Sequence, residues 1–195
     1  MCGIYCSNFP YSDNIIEKKM SSIDFRGPDY TGIIKVNNVI LGHNRLAIID
    51  LDKRSNQPFS YNHIKIVFNG EIYNYKELRS SLKKKGYSFN TESDTEVLAA
   101  LYIEYAEECL QFLNGMFAFT IYDEKNQTLF IARDRLGQKP LHYMINGKNI
   151  EIASQIKQIK LGNNLTINDT AVNAFFKYKY IPEPFSIYNE IKKLP

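Results

Sequence analysis

The sequence has few cysteines, no long apolar run and little net charge, and each shortage argues against a class of protein. Cys2, Cys6 and Cys109 are too few for a disulfide framework and favour a reducing compartment. No segment approaches the ~20 apolar residues that span a bilayer, and the N-terminus lacks the pattern of a signal peptide. A net charge of +3 without a clustered basic face does not indicate a nucleic-acid partner. We therefore predict a cytoplasmic globular protein that binds neither a membrane nor nucleic acid.

The remaining composition and patterning favour a layered α+β fold. Hydrophobic residues make up 44% and charged residues 23% of 195 residues, as in ordinary globular domains. Helical periodicity is expected over 13–21, 75–85, 93–105 and 169–180. β-rich runs occupy 4–7, 31–36, 39–45, 64–68, 116–123, 128–133, 141–145 and 149–153. Turn pairs such as Asn37-Asn38 and Asn146-Gly147 join neighbouring runs, so the strands are expected to be antiparallel with helices gathered between them.

The helix after residue 93 carries the clearest start signal. Ser93-Asp94-Thr95-Glu96 fits a capping box, in which Ser93 accepts from the Glu96 amide and Glu96 reaches back. The apolar positions that follow predict one buried face on this helix: Val97, Leu98, Leu101 and Tyr105.

Cys2 is the candidate nucleophile. Removal of Met1 before a small residue would leave a chain that begins with Cys2 and Gly3. The thiol has a reference pKa of about 8.5 and a free α-amine about 7.7–8.0, so one residue would carry both nucleophile and base. Taken alone, however, a cysteine at the second position is more often incidental.

The segment Asn69-Gly70-Glu71 has two interpretations. Asn-Gly after a β-run is usually a type I′ turn. Here the next segment has helical character instead of returning as a strand. A side-chain amide next to a glycine N–H is also the donor pair that an oxyanion site requires. The local pattern leaves both interpretations open.

Two further classes of site do not fit the sequence. Arg26-Gly27-Pro28-Asp29 is typical of a charged turn, and Gly27 and Gly32 have phosphate-loop spacing, but Ile33-Ile34 stands where Lys-Ser/Thr is needed. The three histidines show no metal-ligand spacing and are interpreted as structural: His43, His63 and His142. We therefore predict no cofactor and no metal in this chain.

Seven ordered motifs resemble those of class II glutamine amidotransferase domains, and the likeness covers essentially the whole chain. In order, they are 1–4 (MCGI), 26–29 (RGPD), 42–50 (GHNRLAIID), 68–74 (FNGEIYN), 93–96 (SDTE), 116–119 (MFAF) and 133–137 (RDRLG). The segments 68–74 and 116–137 are most similar to the glutamine-hydrolysing asparagine synthetase branch. The resemblance implies an N-terminal-nucleophile hydrolase fold, an αββα sandwich with two antiparallel sheets between helical layers.

The resemblance also implies roles for matching residues. Cys2 would attack the side-chain amide of L-glutamine while its own amine relays the proton, and water would hydrolyse the resulting thioester. The Asn69 side chain and the Gly70 N–H would hold the oxyanion. Arg45 would bind the substrate α-carboxylate and Asp94 the α-ammonium. Five further residues are implied to line the pocket: Leu46, Ala47, Ile48, Ile49 and Glu71. Arg26 is implied to support these residues without contacting the substrate.

The resemblance further predicts a boundary within the chain. Residues 2–163 would form the glutaminase domain, and 164–195, with Pro182 and Pro184, an exposed linker leading into a synthetase domain absent from this chain. The pyrophosphate loop of that domain, Ser-Gly-Gly-x-Asp-Ser, is missing, because no Gly-Gly occurs here. ATP and Mg²⁺ are implied for the absent domain only.

The acceptor of the ammonia stays open at this point. Aspartate is the leading candidate, and a sugar carboxylate in surface-polysaccharide synthesis is the alternative. A non-catalytic module that keeps the fold is a third hypothesis, against which the intact Cys2, Arg45, Asn69 and Asp94 argue. L-Glutamine, the synthetase domain and a homodimer are the partners considered.

Overall fold

The computed structural model describes all 195 residues, which form ten strands and five α-helices. The strands are β1 (Gly3–Ser7), β2 (Tyr30–Val36), β3 (Val39–Arg45), β4 (Phe59–Tyr61), β5 (Ile64–Ile72), β6 (Gly115–Asp123), β7 (Thr128–Arg133), β8 (His142–Asn146), β9 (Asn149–Ala153) and β10 (Ile191–Lys193). The helices are α1 (Asp13–Ser21), α2 (Tyr75–Lys84), α3 (Asp94–Tyr105), α4 (Ile156–Lys160) and α5 (Asp169–Tyr178). None of them has the length and apolar character needed to cross a bilayer.

The strands form two antiparallel sheets. Sheet A has the order β10-β8-β9-β1-β3-β2, and sheet B the order β4-β5-β6-β7. The first strand lies in the middle of sheet A, where Gly3 pairs with Asn44 of β3. This register places Cys2, the residue before Gly3, beside Arg45 at the end of β3.

Side-chain alternation divides the core into layers. Along β1, Ile4 and Cys6 point between the sheets and pack with Val67 and Ala118 of sheet B. Tyr5 points the other way, into a cluster with residues of α1 and α4. Helices α2 and α3 cover the outer face of sheet B through apolar residues that include Leu82. The resulting order of helices, sheet, sheet and helices confirms the predicted αββα sandwich.

The prediction that strand β5 ends at Phe68 is wrong, because the strand continues through the Asn-Gly pair. Asn69 pairs with Ala118 of β6, and the antiparallel register extends to Ile72 and Gly115. Nine consecutive pairings with β6 thus override the local preference of Asn-Gly for a turn. The type I′ interpretation of residues 69–71 is excluded.

The start of α3 is only half a capping box. Ser93 Oγ accepts from the Glu96 N–H at 3.3 Å, as predicted. The Glu96 carboxylate does not return to Ser93, because it accepts from the amides of Asn90 and Thr91 at 2.9 and 2.8 Å. The single apolar face is also wrong: every residue from 94 to 101 is buried.

The C-terminal segment joins the sandwich. Helix α5 ends two residues earlier than predicted, where Lys179 adopts a left-handed conformation with φ 66°. Residues Ile191–Lys193 then pair with β8 as the edge strand of sheet A. The picture of an exposed linker after a complete core is therefore wrong for these last residues, whereas the boundary after residue 163 stays a prediction.

Candidate active site

A cavity of about 190 Å³ lies between the sheets, at the end where β1 begins and β3 ends. Sheet A contributes Cys2 and Arg45 to its lining, sheet B contributes Asn69 and Gly70, and α3 contributes Asp94. Cys2 and Asp94, which are 92 positions apart in the sequence, therefore meet in one cavity.

Cys2 lines this cavity and directly precedes strand β1. Its Sγ accepts from the Leu46 N–H at 3.4 Å and lies 3.6 Å from the Leu46 carbonyl oxygen. Burial raises the pKa of the Cys2 thiol. The Leu46 amide, the ammonium of Met1 and the guanidinium groups of Arg45 and Arg26 only partly offset this effect. The thiol therefore stays protonated near neutral pH, and its use as a nucleophile requires a base.

The segment Arg26–Asp29 supports Cys2 from behind. Arg26 Nε donates to the Cys2 carbonyl oxygen at 2.9 Å. Gly27 packs so closely on β3 that a Cβ there would lie 2.3 Å from a backbone carbonyl oxygen. Asp29 accepts from the Ala47 N–H at 2.8 Å and so anchors the loop after β3. The charged turn therefore fixes the start of β1 to the end of β3 and to the loop that follows β3.

Asn69 lines the cavity and carries an unused hydrogen-bond donor. By strand alternation its side chain faces sheet A, where Cys2 lies. It is 1% exposed, and its Nδ2 has no acceptor in the protein. An unsatisfied buried donor costs ~1–3 kcal/mol, so its presence in a native site calls for an explanation. An oxygen of a bound substrate would supply the missing acceptor.

The Gly70 N–H faces the same cavity because β5 has an uncovered edge. Strand β4 pairs with only the first three residues of β5. Past that point, the Phe68 and Ile72 amides are taken by the side chains of Gln57 and Asp94. The Gly70 N–H lies on the same edge between them. A side chain at Gly70 is excluded, since its Cβ would lie 2.2 Å from a β6 carbonyl oxygen.

Arg45 is oriented by the loop that follows it. Its Nη1 donates to the Asp52 carbonyl oxygen at 3.0 Å and to Asn56 Oδ1 at 2.6 Å. Its Nη2 donates to the Asp50 carbonyl oxygen. These three bonds leave Nε–H and one Nη2–H of the guanidinium for a ligand. No carboxylate of the protein forms an ion pair with Arg45. Its positive charge is therefore available to a planar anion such as the carboxylate of a ligand.

Asp94 places a carboxylate at the N-terminus of α3. One oxygen accepts from the Ile72 N–H at 3.1 Å, which fixes the side chain to β5. Burial raises the pKa of Asp94 to about 6. The negative charge of Glu71 adds to this rise, and hydrogen bonds from nearby backbone amides only partly offset it. A bound ammonium would restore the lost stabilisation of the ionised form. Arg45 and Asp94 thus offer opposite charges within one cavity.

The raised pKa of Asp94 predicts a pH dependence of substrate binding. Below about pH 6 the carboxyl gains a proton and loses its charge. The α-ammonium of an amino acid keeps its charge there, so affinity should fall, by about tenfold at pH 5. Calorimetric titration of Cys2→Ala with L-glutamine from pH 5 to 8 measures this without turnover.

Asp94→Asn is the matched variant for that titration. It should bind L-glutamine weakly at every pH and lose the dependence near pH 6. An Asp94→Asn chain with the unchanged pH dependence would show that another group is responsible.

The structure places most of the other predicted residues at the cavity. Leu46, Ile48, Ile49 and Glu71 are among its lining residues. Ala47 is not among them, and its amide donates to Asp29. Their assignment to substrate binding stays a prediction.

Eight lining residues were not among the site residues predicted from the sequence: Met1, Ser55, Gln57, Phe68, Ser93, Thr95, Met116 and Lys139. Lys139 is 6% exposed and its ammonium has no carboxylate within 4.0 Å. It follows the 133–137 motif by two residues, so extending that motif would have found it. Gln57 gave no local signal, because its contacts are with β5 and α3.

The fold and the cavity together define the class. A cysteine beside the first strand of an αββα sandwich, facing an open N–H and an unpaired amide, is the arrangement of an N-terminal-nucleophile hydrolase. In agreement, a solved Bacillus subtilis glutamine phosphoribosylpyrophosphate amidotransferase superposes with a TM-score of 0.70 at 24% identity, covering 82% of this chain and 43% of that one. This likeness concerns the fold.

The chain belongs to the glutamine amidotransferase domain family, whose model matches residues 1–195. It is 40% identical to Bacillus subtilis asparagine synthetase [glutamine-hydrolyzing] 1 over 93% of this chain and 29% of the relative. It is 33% identical to Escherichia coli asparagine synthetase B [glutamine-hydrolyzing] over 99% of this chain and 39% of the relative. The chain thus spans well under half the length of these relatives.

Proposed function

We propose that this chain hydrolyses L-glutamine to L-glutamate and ammonia through a γ-glutamyl thioester on Cys2. The strongest support is the convergence, in one cavity, of the Cys2 thiol with the unpaired Asn69 amide. A thiol in contact only with a backbone amide and carbonyl needs a base, and no histidine lines the cavity. The α-amine freed by removal of Met1 is the base of suitable pKa.

The two charged side chains hold the substrate. Arg45 binds the α-carboxylate through its free N–H groups, and Asp94 binds the α-ammonium. Requiring both charges selects a free amino acid over a glutamine within a protein, because each missing charge leaves its partner unpaired. The side-chain amide of the bound glutamine is then directed along β5 towards Cys2.

The reaction proceeds in two stages on this scaffold. The amine accepts the thiol proton, Sγ attacks the amide carbon, and the developing oxyanion accepts from Asn69 Nδ2 and the Gly70 N–H. The amine returns the proton to the departing nitrogen, and ammonia leaves. A water then attacks the thioester through the same oxyanion site, releasing L-glutamate and the thiol.

The ammonia acceptor in the intact protein is proposed from the relatives. They are named asparagine synthetases, so we propose that a synthetase domain of a longer, cytoplasmic protein uses ammonia, ATP and Mg²⁺ to convert aspartate to asparagine. Residues 2–163 would be the glutaminase domain, with 164–195 leading towards that partner.

The isolated chain is expected to hydrolyse L-glutamine without making asparagine. Ammonia and L-glutamate should appear in equal amounts, because the nucleophile, oxyanion donors and charged pair all lie within residues 2–94. Adding aspartate, ATP and Mg²⁺ should give neither asparagine nor AMP. Aspartate-dependent AMP formation by this chain would refute the division of labour, and a lack of ammonia release would refute the glutaminase.

A further inference from the structure

Gln57 bridges the uncovered edge of β5 and the start of α3. Its Oε1 accepts from the Phe68 N–H at 2.6 Å. Its Nε2 donates to Thr95 Oγ1 at 3.2 Å. The side chain is 7% exposed, so water does not replace these bonds readily. Both ends of one amide are therefore engaged beside the cavity.

The backbone of Phe68 is also held from sheet A. The Phe68 carbonyl oxygen accepts from His43 Nε2 at 3.1 Å. Burial lowers the pKa of His43 to about 3, so the ring is neutral and donates from Nε2. Phe68 is thus fixed through its N–H by Gln57 and through its carbonyl by His43.

Phe68 is the anchor for the two oxyanion donors. Asn69 follows it directly, and the Gly70 N–H lies two residues further along the same edge. No neighbouring strand holds this edge, since β4 ends its pairing at Ile66. The direction of the Gly70 N–H therefore depends on side chains that take the place of the missing strand.

We infer that Gln57 is a positioning residue for the oxyanion site, acting on Gly70 and Asn69 through the Phe68 amide. The inference rests on the proposed glutaminase activity. Gln57 performs two tasks that its side-chain amide combines, because the amide accepts from β5 and donates to α3. A leucine would leave the Phe68 N–H and the Thr95 hydroxyl without these partners. A glutamate would keep the acceptor for Phe68 and lose the donor to Thr95.

Steady-state kinetics of Gln57→Leu test this role. Complete loss of an oxyanion donor lowers kcat by about 10²–10³. A misdirected donor should lower it by about 10- to 100-fold, with KM for L-glutamine changed by less than about twofold. Gln57→Glu should lie between Gln57→Leu and the parent. Gln158→Leu is the matched control, because Gln158 is also buried but lies in α4, away from the cavity.

Two readouts separate positioning from general damage. The aldehyde analogue of glutamine adds to Cys2 and places an oxygen in the oxyanion site, so its inhibition should weaken in parallel with kcat. Alkylation of Cys2 by iodoacetamide does not use that site, so its rate should stay unchanged. Thermal melting of the Gln57 and Gln158 variants checks that each is folded at the assay temperature.

The outcomes distinguish this role from the activity on which it rests. An active parent with unchanged kcat in folded Gln57→Leu or Gln57→Glu overturns the role of Gln57 alone. A parent chain without glutaminase activity overturns the proposed function and this inference together. Loss of Cys2 alkylation in parallel with kcat would show a general disturbance of the site and overturn positioning.

Discussion

Cys2→Ala is expected to lose glutaminase activity by at least about 10³-fold, since removing the nucleophile leaves only binding and oxyanion donors. Cys2 is the only cysteine at the cavity. Cys6 and Cys109 are fully buried, and burial raises the pKa of Cys109 to about 12. Neither can act as a thiolate at neutral pH. Release of L-glutamate, measured with a coupled dehydrogenase, gives the rates.

Cys6→Ala and Cys109→Ser are the matched controls for that experiment. Each removes a thiol from the core without touching the cavity, so turnover should stay near that of the parent once the folded fraction is taken into account. Near-normal turnover by Cys2→Ala would remove the thioester from the mechanism.

Retention of Met1 is expected to reduce activity by about 10²–10⁴-fold, the range contributed by a positioned general base. A peptide bond at the Cys2 nitrogen withdraws the lone pair that would accept the thiol proton. Met1 also lines the cavity together with Cys2. Chains with and without Met1, separated and identified by intact mass, should differ accordingly in glutamine turnover.

Met1 should affect the active site without changing the stability of the fold. Arg26 holds the Cys2 carbonyl oxygen, which lies on the side of Cys2 away from Met1. The fold should therefore be the same in both forms, with equal melting temperatures. Full activity with Met1 attached would exclude the α-amine as the base.

Local sequence signals predicted the parts of the fold that depend on neighbours in the chain. The hairpin at Asn37-Asn38 is confirmed, since β2 and β3 pair up to Val36 and Val39 on either side of it. Asn37 adopts the positive φ, 54°, that this turn needs. Helix α1 spans residues 13–21 as predicted. The motif resemblance also led to the αββα order, which no periodicity alone could give.

The parts that the sequence did not reveal depend on contacts between distant segments. Strands β4 and β10 have three residues each, too short for a clear alternation, and exist because β5 and β8 offer edges to pair with. The Asn69-Gly70 pair became strand through its register with β6. Gln57 acquires its role only when β5 and α3 come together beside it.

The thioester itself provides the most direct test of the account. The parent chain, with Cys2 at its N-terminus, is mixed with L-glutamine, quenched in acid within one turnover and digested for mass spectrometry. We expect the N-terminal peptide to carry one added γ-glutamyl group on Cys2, which disappears as L-glutamate accumulates. Glutamate and ammonia release with no such adduct under any quench time, or an adduct on another residue, would contradict catalysis by Cys2.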